Sequence, residues 1–310
     1  MAILKDFDEL VVSSRRGQPV GAIKEMREGS VQCLGPHGLH RMVYSEWGDP
    51  ANPRVLLCVH GLTRNGRDFD VLANALAEDY RVVCPDVVGR GRSDRLPFSD
   101  DYALPVYAND IMTLIARLGV DAVHWVGTSM GGLIGMFLCS LPGSPIRRLV
   151  LNDVGPVIAL EALQRIGEYL GKAPDFPDLA QAEAYVRLVC APFGNLSDAQ
   201  WRYMTVVGMR PKPGGGFEVN YDPAIAQPYQ KAFLEAKEIS LWPMYDAIRC
   251  PTLVVRGVQS DILLHDTAAE MSTRGPGAKL VEVAGVGHAP MFLDESQVRI
   301  VQDFLLADQG

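Results

Sequence analysis

The sequence predicts an α/β fold, a mostly parallel β-sheet flanked by helices, with a helical cap inserted into it. From about residue 40 to 155, short β-branched runs alternate with helical patterns, which is typical of βαβ units. The alternation stops over 156–243 and resumes near residue 251, so the sheet continues after an insertion. These changes of pattern predict an N-terminal extension (1–30), a core (31–155 and 244–310) and a cap (156–243).

The predicted strands are short apolar runs bounded by Gly, Pro, Asp or Asn, which is typical of strands covered on both faces. They span 55–59, 81–84, 122–126, 148–151, 251–257 and 279–283. Ahead of them, residues 38–48 are expected to form an antiparallel edge strand. Helical spacing occurs at 69–78, 102–118, 130–141, 157–170, 179–190, 198–207 and 294–306.

Composition limits the class of protein. The 310 residues are 48% hydrophobic and 21% charged, which suffices for a large buried core. No apolar run approaches the ~20 residues of a membrane span, and the acidic start is unlike a signal peptide, so we expect a cytoplasmic protein without a membrane partner. The net charge of −8 comes without a basic block, which argues against nucleic acid as a partner.

The six cysteines lie far apart and form no Cys-x-x-Cys pair, so we expect reduced core residues rather than zinc or redox chemistry. Nucleotide-binding glycine motifs and the His-Glu-x-x-His zinc motif do not occur. The sequence therefore predicts neither a metal nor an organic cofactor.

Chemistry is indicated first by Gly127-Thr-Ser-Met-Gly131, which follows a predicted strand and opens a predicted helix. In this context a Gly-x-Ser-x-Gly motif predicts a nucleophile elbow with Ser129 as nucleophile. Gly127 and Gly131 are expected because the turn between strand and helix is too tight for side chains at the flanking positions.

A serine hydroxyl is a weak nucleophile near neutral pH and requires a base and an acid. His288, on a loop after the last predicted strand, is the expected base. Asp261, after the preceding strand, is preferred as the acid because it gives the order Ser, Asp, His. Asp153, at the end of an earlier strand, is the alternative acid.

Acyl transfer also requires two N–H donors for the developing oxyanion. The backbone amides of Met130, next after the nucleophile, and Leu62, in His60-Gly-Leu62, are the expected donors. Gly61 allows close backbone approach, and His60 is expected to brace the loop.

Together these motifs resemble the α/β-hydrolase family over roughly residues 38–306. The resemblance implies acyl transfer through an acyl-enzyme on Ser129, hence a serine carboxylic ester hydrolase acting on a small or medium apolar ester. Dehalogenases and epoxide hydrolases of this fold carry aspartate at that position, and Ser129 disfavours their chemistry. A C–C bond hydrolase or enol-lactonase is the alternative within the enzymes, and a non-catalytic ligand-binding member is the alternative outside them.

The cap contains large aromatic, leucine and methionine side chains that either line an acyl pocket or form the core of the cap, and the sequence leaves both possibilities open. They are Leu160, Leu163, Tyr185, Phe193, Trp201, Met204, Phe217, Tyr221, Tyr229 and Trp242. The sequence does not determine the oligomeric state.

Overall fold

The computed structural model describes residues 26–235 and 239–307. The strands are β1 (Arg27–Gly35), β2 (Gly38–Trp47), β3 (Val55–Val59), β4 (Arg81–Pro85), β5 (Val123–Thr128), β6 (Ile146–Asn152), β7 (Val157–Ile158), β8 (Asp175–Phe176), β9 (Met209–Pro211), β10 (Phe217–Val219), β11 (Ile239–Ser240), β12 (Thr252–Gly257) and β13 (Lys279–Val283). The helices are α1 (Asp70–Leu76), α2 (Leu104–Leu118), α3 (Met130–Ser140), α4 (Leu160–Tyr169), α5 (Leu179–Val189), α6 (Asp198–Gly208), α7 (Ala226–Glu235), α8 (Trp242–Asp246), α9 (His265–Met271) and α10 (Glu295–Leu305).

Eight strands form the central sheet in the order β1-β2-β4-β3-β5-β6-β12-β13. From β4 to β13 neighbouring strands pair in parallel, and β2 pairs antiparallel with both β1 and β4. The central strands β3, β5, β6 and β12 are almost entirely buried because helices cover both faces of the sheet. The predicted α/β class with a mostly parallel sheet is confirmed.

The N-terminal part of the sheet differs from the prediction. The segment predicted as an edge strand is the interior strand β2, and the edge is β1, which begins at Arg27 within the predicted extension. Buried residues alternate with exposed ones only in the second half of β1, so the sequence contains little of the two-residue hydrophobic period by which a strand is predicted. The rest of the predicted extension, 1–25, lies outside the described residues.

The segment between β6 and β12 contains helices α4 to α8, in agreement with its predicted helical character. It also contains short strands that the sequence did not indicate. Strands β8, β10 and β9 form a small antiparallel sheet, and β7 pairs with β11. Runs of two or three residues are too short to produce a detectable period.

All six cysteines lie in the described part of the chain and are free thiols, four of them buried. Among the helices of the described ranges, none is long and apolar enough to cross a bilayer.

Candidate active site

Ser129 lies in the turn that joins β5 to α3. Its backbone has φ 51° and ψ −114°, a conformation that L-residues rarely adopt, and it is the residue that caps the N-terminus of α3. Its N–H donates to the carbonyl oxygen of Asn152 on the neighbouring strand β6 at 3.0 Å, which holds the turn to the sheet. The strained serine at a helix N-terminus is the geometry that the motif predicts.

The two flanking glycines lie where no side chain fits. A Cβ at Gly127 would lie 2.4 Å from the carbonyl carbon of Gly131, and a Cβ at Gly131 would lie 1.9 Å from the carbonyl oxygen of Val59. Both positions therefore require glycine because β3, β5 and α3 meet there at backbone contact distance.

His288 is hydrogen-bonded to Asp153. Its Nδ1 lies 2.7 Å from Oδ2 of Asp153, and the carboxylate is fully buried. Asp153 also accepts from the Gly257 N–H at 2.9 Å and from the Ser260 hydroxyl at 2.6 Å. Three donors thus orient one carboxylate, and this assigns the proton of the imidazole to Nδ1 and leaves Nε2 as a base.

The expected partnership of His288 with Asp261 is wrong. The Asp261 carboxylate binds the Arg165 guanidinium at 2.6 and 2.9 Å, and its side chain is 45% exposed. The alternative, Asp153, takes the position beside His288. Strands β6 and β12 are parallel neighbours, so residues that follow them emerge at the same edge of the sheet, and sequence position could not distinguish the two.

The loop after β3, which contains Gly61 and Leu62, is braced from two sides. The Val87 N–H donates to Nε2 of His60 at 2.9 Å, so Nδ1 carries the proton and donates to the Gly61 carbonyl oxygen at 2.7 Å. Burial is the main cause that lowers the pKa of His60 to about 4, which keeps the ring neutral near pH 7. The predicted bracing role of His60 agrees with these contacts.

The second brace, Arg90, was not anticipated from the sequence. Its side chain is 1% exposed and donates to the Leu62 carbonyl oxygen at 2.9 Å and to the Tyr107 hydroxyl at 3.0 Å, while Nη2 lies 3.6 Å from Sδ of Met130. Arg90 therefore contacts both residues expected to supply the oxyanion donors. Met130 is the first residue of α3, so its N–H has no acceptor within the helix.

Ser129, His288 and Leu62 line one small cavity of about 60 Å³. Arg165 and Tyr169 of α4 close it from the inserted segment. A second, larger cavity of about 820 Å³ lies beside it within that segment. Arg165, Tyr169, Val189 and Pro192 line both cavities.

Some of the cap side chains that the sequence assigned either to a pocket or to the core line a cavity, and others belong to the core. Phe193 lines the small cavity and Tyr185 the large one. Trp201, Met204 and Tyr221 are buried within the core instead.

Residues of metal-binding type meet elsewhere in the described chain. Cys33, His40 and Asp110 lie within 4.8 Å of one another in the core between β1, β2 and α2. Burial, followed by the neighbouring Asp110, raises the pKa of the Cys33 thiol to about 12, whereas metal binding requires the thiolate. His40 and Asp110 instead pair with each other at 2.8 Å.

A family model for the alpha/beta hydrolase fold matches residues 54–295, which is most of the chain. The chain belongs to the α/β-hydrolase family. The predicted membership and the prediction of a hydrolytic enzyme are both confirmed.

Individual relatives agree with this assignment. The 3-hydroxybutyrate-oligomer hydrolase of Cupriavidus necator is 54% identical over 284 residues, which cover 90% of this chain and 97% of that protein. The 2-(acetamidomethylene)succinate hydrolase of Mesorhizobium japonicum is 27% identical over 235 residues, 76% of this chain and 81% of that protein. A crystal structure of an α/β hydrolase from Novosphingobium aromaticivorans superposes with a TM-score of 0.82 at 34% identity, covering 92% of this chain and 99% of that one.

The contact at Gly131 leads to a first prediction. Gly131→Ala places a methyl group against the backbone of β3, and we expect it to destabilise the fold by at least about 1–3 kcal/mol. Gly167→Ala is the matched control, because a Cβ there meets no atom within 4 Å and alanine favours the helix α4. Urea unfolding of both variants measures the difference, and equal stabilities would contradict the close-packed turn.

The neutral state of His60 leads to a second prediction. The pKa of His60 in the folded protein is about 4, below the ordinary value of 6.5. Between these two pH values the unfolded chain binds a proton at His60 and the folded protein does not, so the free energy of unfolding falls as pH decreases from 6.5 towards 4. Between pH 7 and 5 this histidine should remove about 2 kcal/mol of unfolding free energy.

The measurement compares the wild type with His60→Gln, which does not titrate in this range. Urea unfolding at the two pH values should give a smaller loss for the variant, whereas equal losses would show that His60 is not the group responsible.

Proposed function

We propose that this enzyme hydrolyses carboxylic esters through an acyl-enzyme on Ser129, with His288 as base and Asp153 as the acid that orients it. The observation that carries the proposal is the 2.7 Å hydrogen bond between His288 and the buried Asp153, beside the cavity that Ser129 lines. A buried carboxylate fixes the imidazole tautomer and stabilises the imidazolium that forms during the reaction.

In the proposed first half-reaction, Oγ of Ser129 attacks the ester carbonyl and its proton passes to Nε2 of His288. The N–H groups of Leu62 and Met130 stabilise the oxyanion. The carbonyl re-forms as the ester C–O bond breaks, and His288 returns the proton to the departing alcohol oxygen. In the second half-reaction His288 deprotonates water, which attacks the acyl-enzyme. The bond from the acyl carbon to Oγ of Ser129 then breaks, His288 returns the proton to Oγ, and the acid leaves.

The proposed substrate is an oligomer of 3-hydroxybutyrate, in which hydroxyacid units are linked by ester bonds. The relative from Cupriavidus necator, 54% identical along nearly its whole length, supports this substrate. The small cavity of about 60 Å³ next to Ser129 favours a short acyl group over a long one.

We further infer that residues 156–243 act as a cap over the site. Arg165, Tyr169 and Phe193 from this segment line the cavity of Ser129, and the Pro192 carbonyl oxygen accepts from the N–H of Gly287, the residue before His288, at 2.7 Å. The six free cysteines support a reducing compartment, for which we propose the cytoplasm.

A test of the nucleophile uses p-nitrophenyl acetate and the dimer and trimer of 3-hydroxybutyrate. We expect a burst of p-nitrophenol from the wild type and release of the monomer from both oligomers. Ser129→Ala should lower turnover at least ~10³-fold. Absence of a burst together with unchanged turnover in Ser129→Ala would indicate a ligand-binding protein instead.

A separate test compares the two candidate acids. Asp153→Asn should lower kcat about 10⁴-fold because an amide cannot stabilise the imidazolium or select the correct tautomer. Asp261→Asn, which loses only a half-exposed ion pair, should leave kcat for p-nitrophenyl acetate within about threefold of the wild type. The reverse order of effects would reinstate Asp261 as the acid.

A further inference from the structure

A cationic side chain stands at the junction of the two cavities. Arg165 on α4 lines both the small cavity with Ser129 and His288 and the large cavity beside it. Its side chain is 33% exposed, so it is partly accessible to water and ligands. A substrate that reaches Ser129 from the large cavity passes this residue.

The present partner of Arg165 is replaceable. Asp261 binds it with two hydrogen bonds, but the carboxylate is 45% exposed, and such ion pairs contribute little because water competes for both charges. A carboxylate of a ligand can therefore replace Asp261 in one or both of these hydrogen bonds at a low cost in free energy. The guanidinium fork matches a carboxylate in two-point contact, which gives such a ligand a defined orientation.

Arg64, the other cation of the small cavity, differs in this respect. Its contacts with Asp68 at 2.6 to 3.1 Å are buried, with side chains 10% and 9% exposed, and it also donates to the Met204 carbonyl oxygen at 3.3 Å. Separating one partner from a buried ion pair leaves an uncompensated charge, so Arg64 stays paired with Asp68 and stabilises the fold. Among the described residues that line this cavity, Arg165 is therefore the arginine available to a ligand.

We propose that Arg165 binds the terminal carboxylate of the substrate. The inference rests on the proposed function, since a linear hydroxyacid oligomer ends in one carboxylate on the alcohol side of its last ester bond. Binding of this group by Arg165 aligns the ester with Ser129 and selects acidic oligomers over neutral esters of the same size. Arg165 is thus a specificity-determining residue of the cap, and Asp261 holds it in place in the free enzyme.

The test uses two substrates, the dimer of 3-hydroxybutyrate as free acid and as methyl ester, which differ in charge and by one methyl group, and it follows cleavage of the ester bond between the two hydroxyacid units in both. The wild type should favour the acid in kcat/KM. Arg165→Met should raise KM for the acid about 10- to 100-fold, as loss of a charge-assisted contact implies, with kcat and the KM of the methyl ester little changed. Arg165→Lys should retain part of the preference because it keeps the charge without the fork.

The matched control is Arg210→Met. Arg210 belongs to the same inserted segment and pairs with Glu218 at 2.5 Å, but it is not among the described residues that line the two cavities. This variant should leave the ratio of acid to methyl ester unchanged. Thermal unfolding of every variant shows whether the fold is intact.

Two results would overturn the proposal: no preference for the acid in the wild type, or an equal loss for both substrates in Arg165→Met. Failure of the proposed function would give a different kinetic result. In that case the wild type would hydrolyse neither dimer in a manner that depends on Ser129, whatever residue stands at position 165.

Discussion

The close approach of β3, β5 and α3 is the constraint on which the site depends. Gly127 and Gly131 allow the backbone of the turn to touch the end of β3, and the strained conformation of Ser129 follows from that tightness. The same contact places the first turn of α3 against the loop after β3. The nucleophile and both expected oxyanion donors are therefore positioned by one packing arrangement of backbone atoms.

The buried Asp153 connects this turn with the other half of the sheet. Its carboxylate receives hydrogen bonds from Gly257 at the end of β12, from Ser260 after β12 and from His288 after β13. An isolated charge at this depth would be unstable, and these donors compensate for its removal from water. Residues from three adjacent strands thus meet at one carboxylate, which explains why the insertion between β6 and β12 leaves the site intact.

Polar contacts fasten the inserted segment to the core at the rim of the site. Asn65, in the loop after β3, donates to the Val207 carbonyl oxygen at 2.7 Å, and Arg165 reaches across to Asp261. The first of these contacts is buried and the second is half-exposed. The part of the segment near α6 is consequently tied to the loop that contains Leu62 by a buried contact, while the contact from α4 to Asp261 is an ion pair open to water.

The sequence by itself determined the α/β class, most of the central strands, the elbow at Ser129 and the loop of His288, because these features depend on local period and on glycine stereochemistry. It did not determine the edge strand β1, the short strands of the insertion or the partner of His288. Asp153 and Asp261 both follow strands of one parallel sheet, and only the packing buries the first beside His288 and turns the second towards Arg165. Side-chain pairs such as His288 with Asp153 join residues far apart in the chain, and local sequence patterns do not reveal which distant residues the tertiary structure brings together.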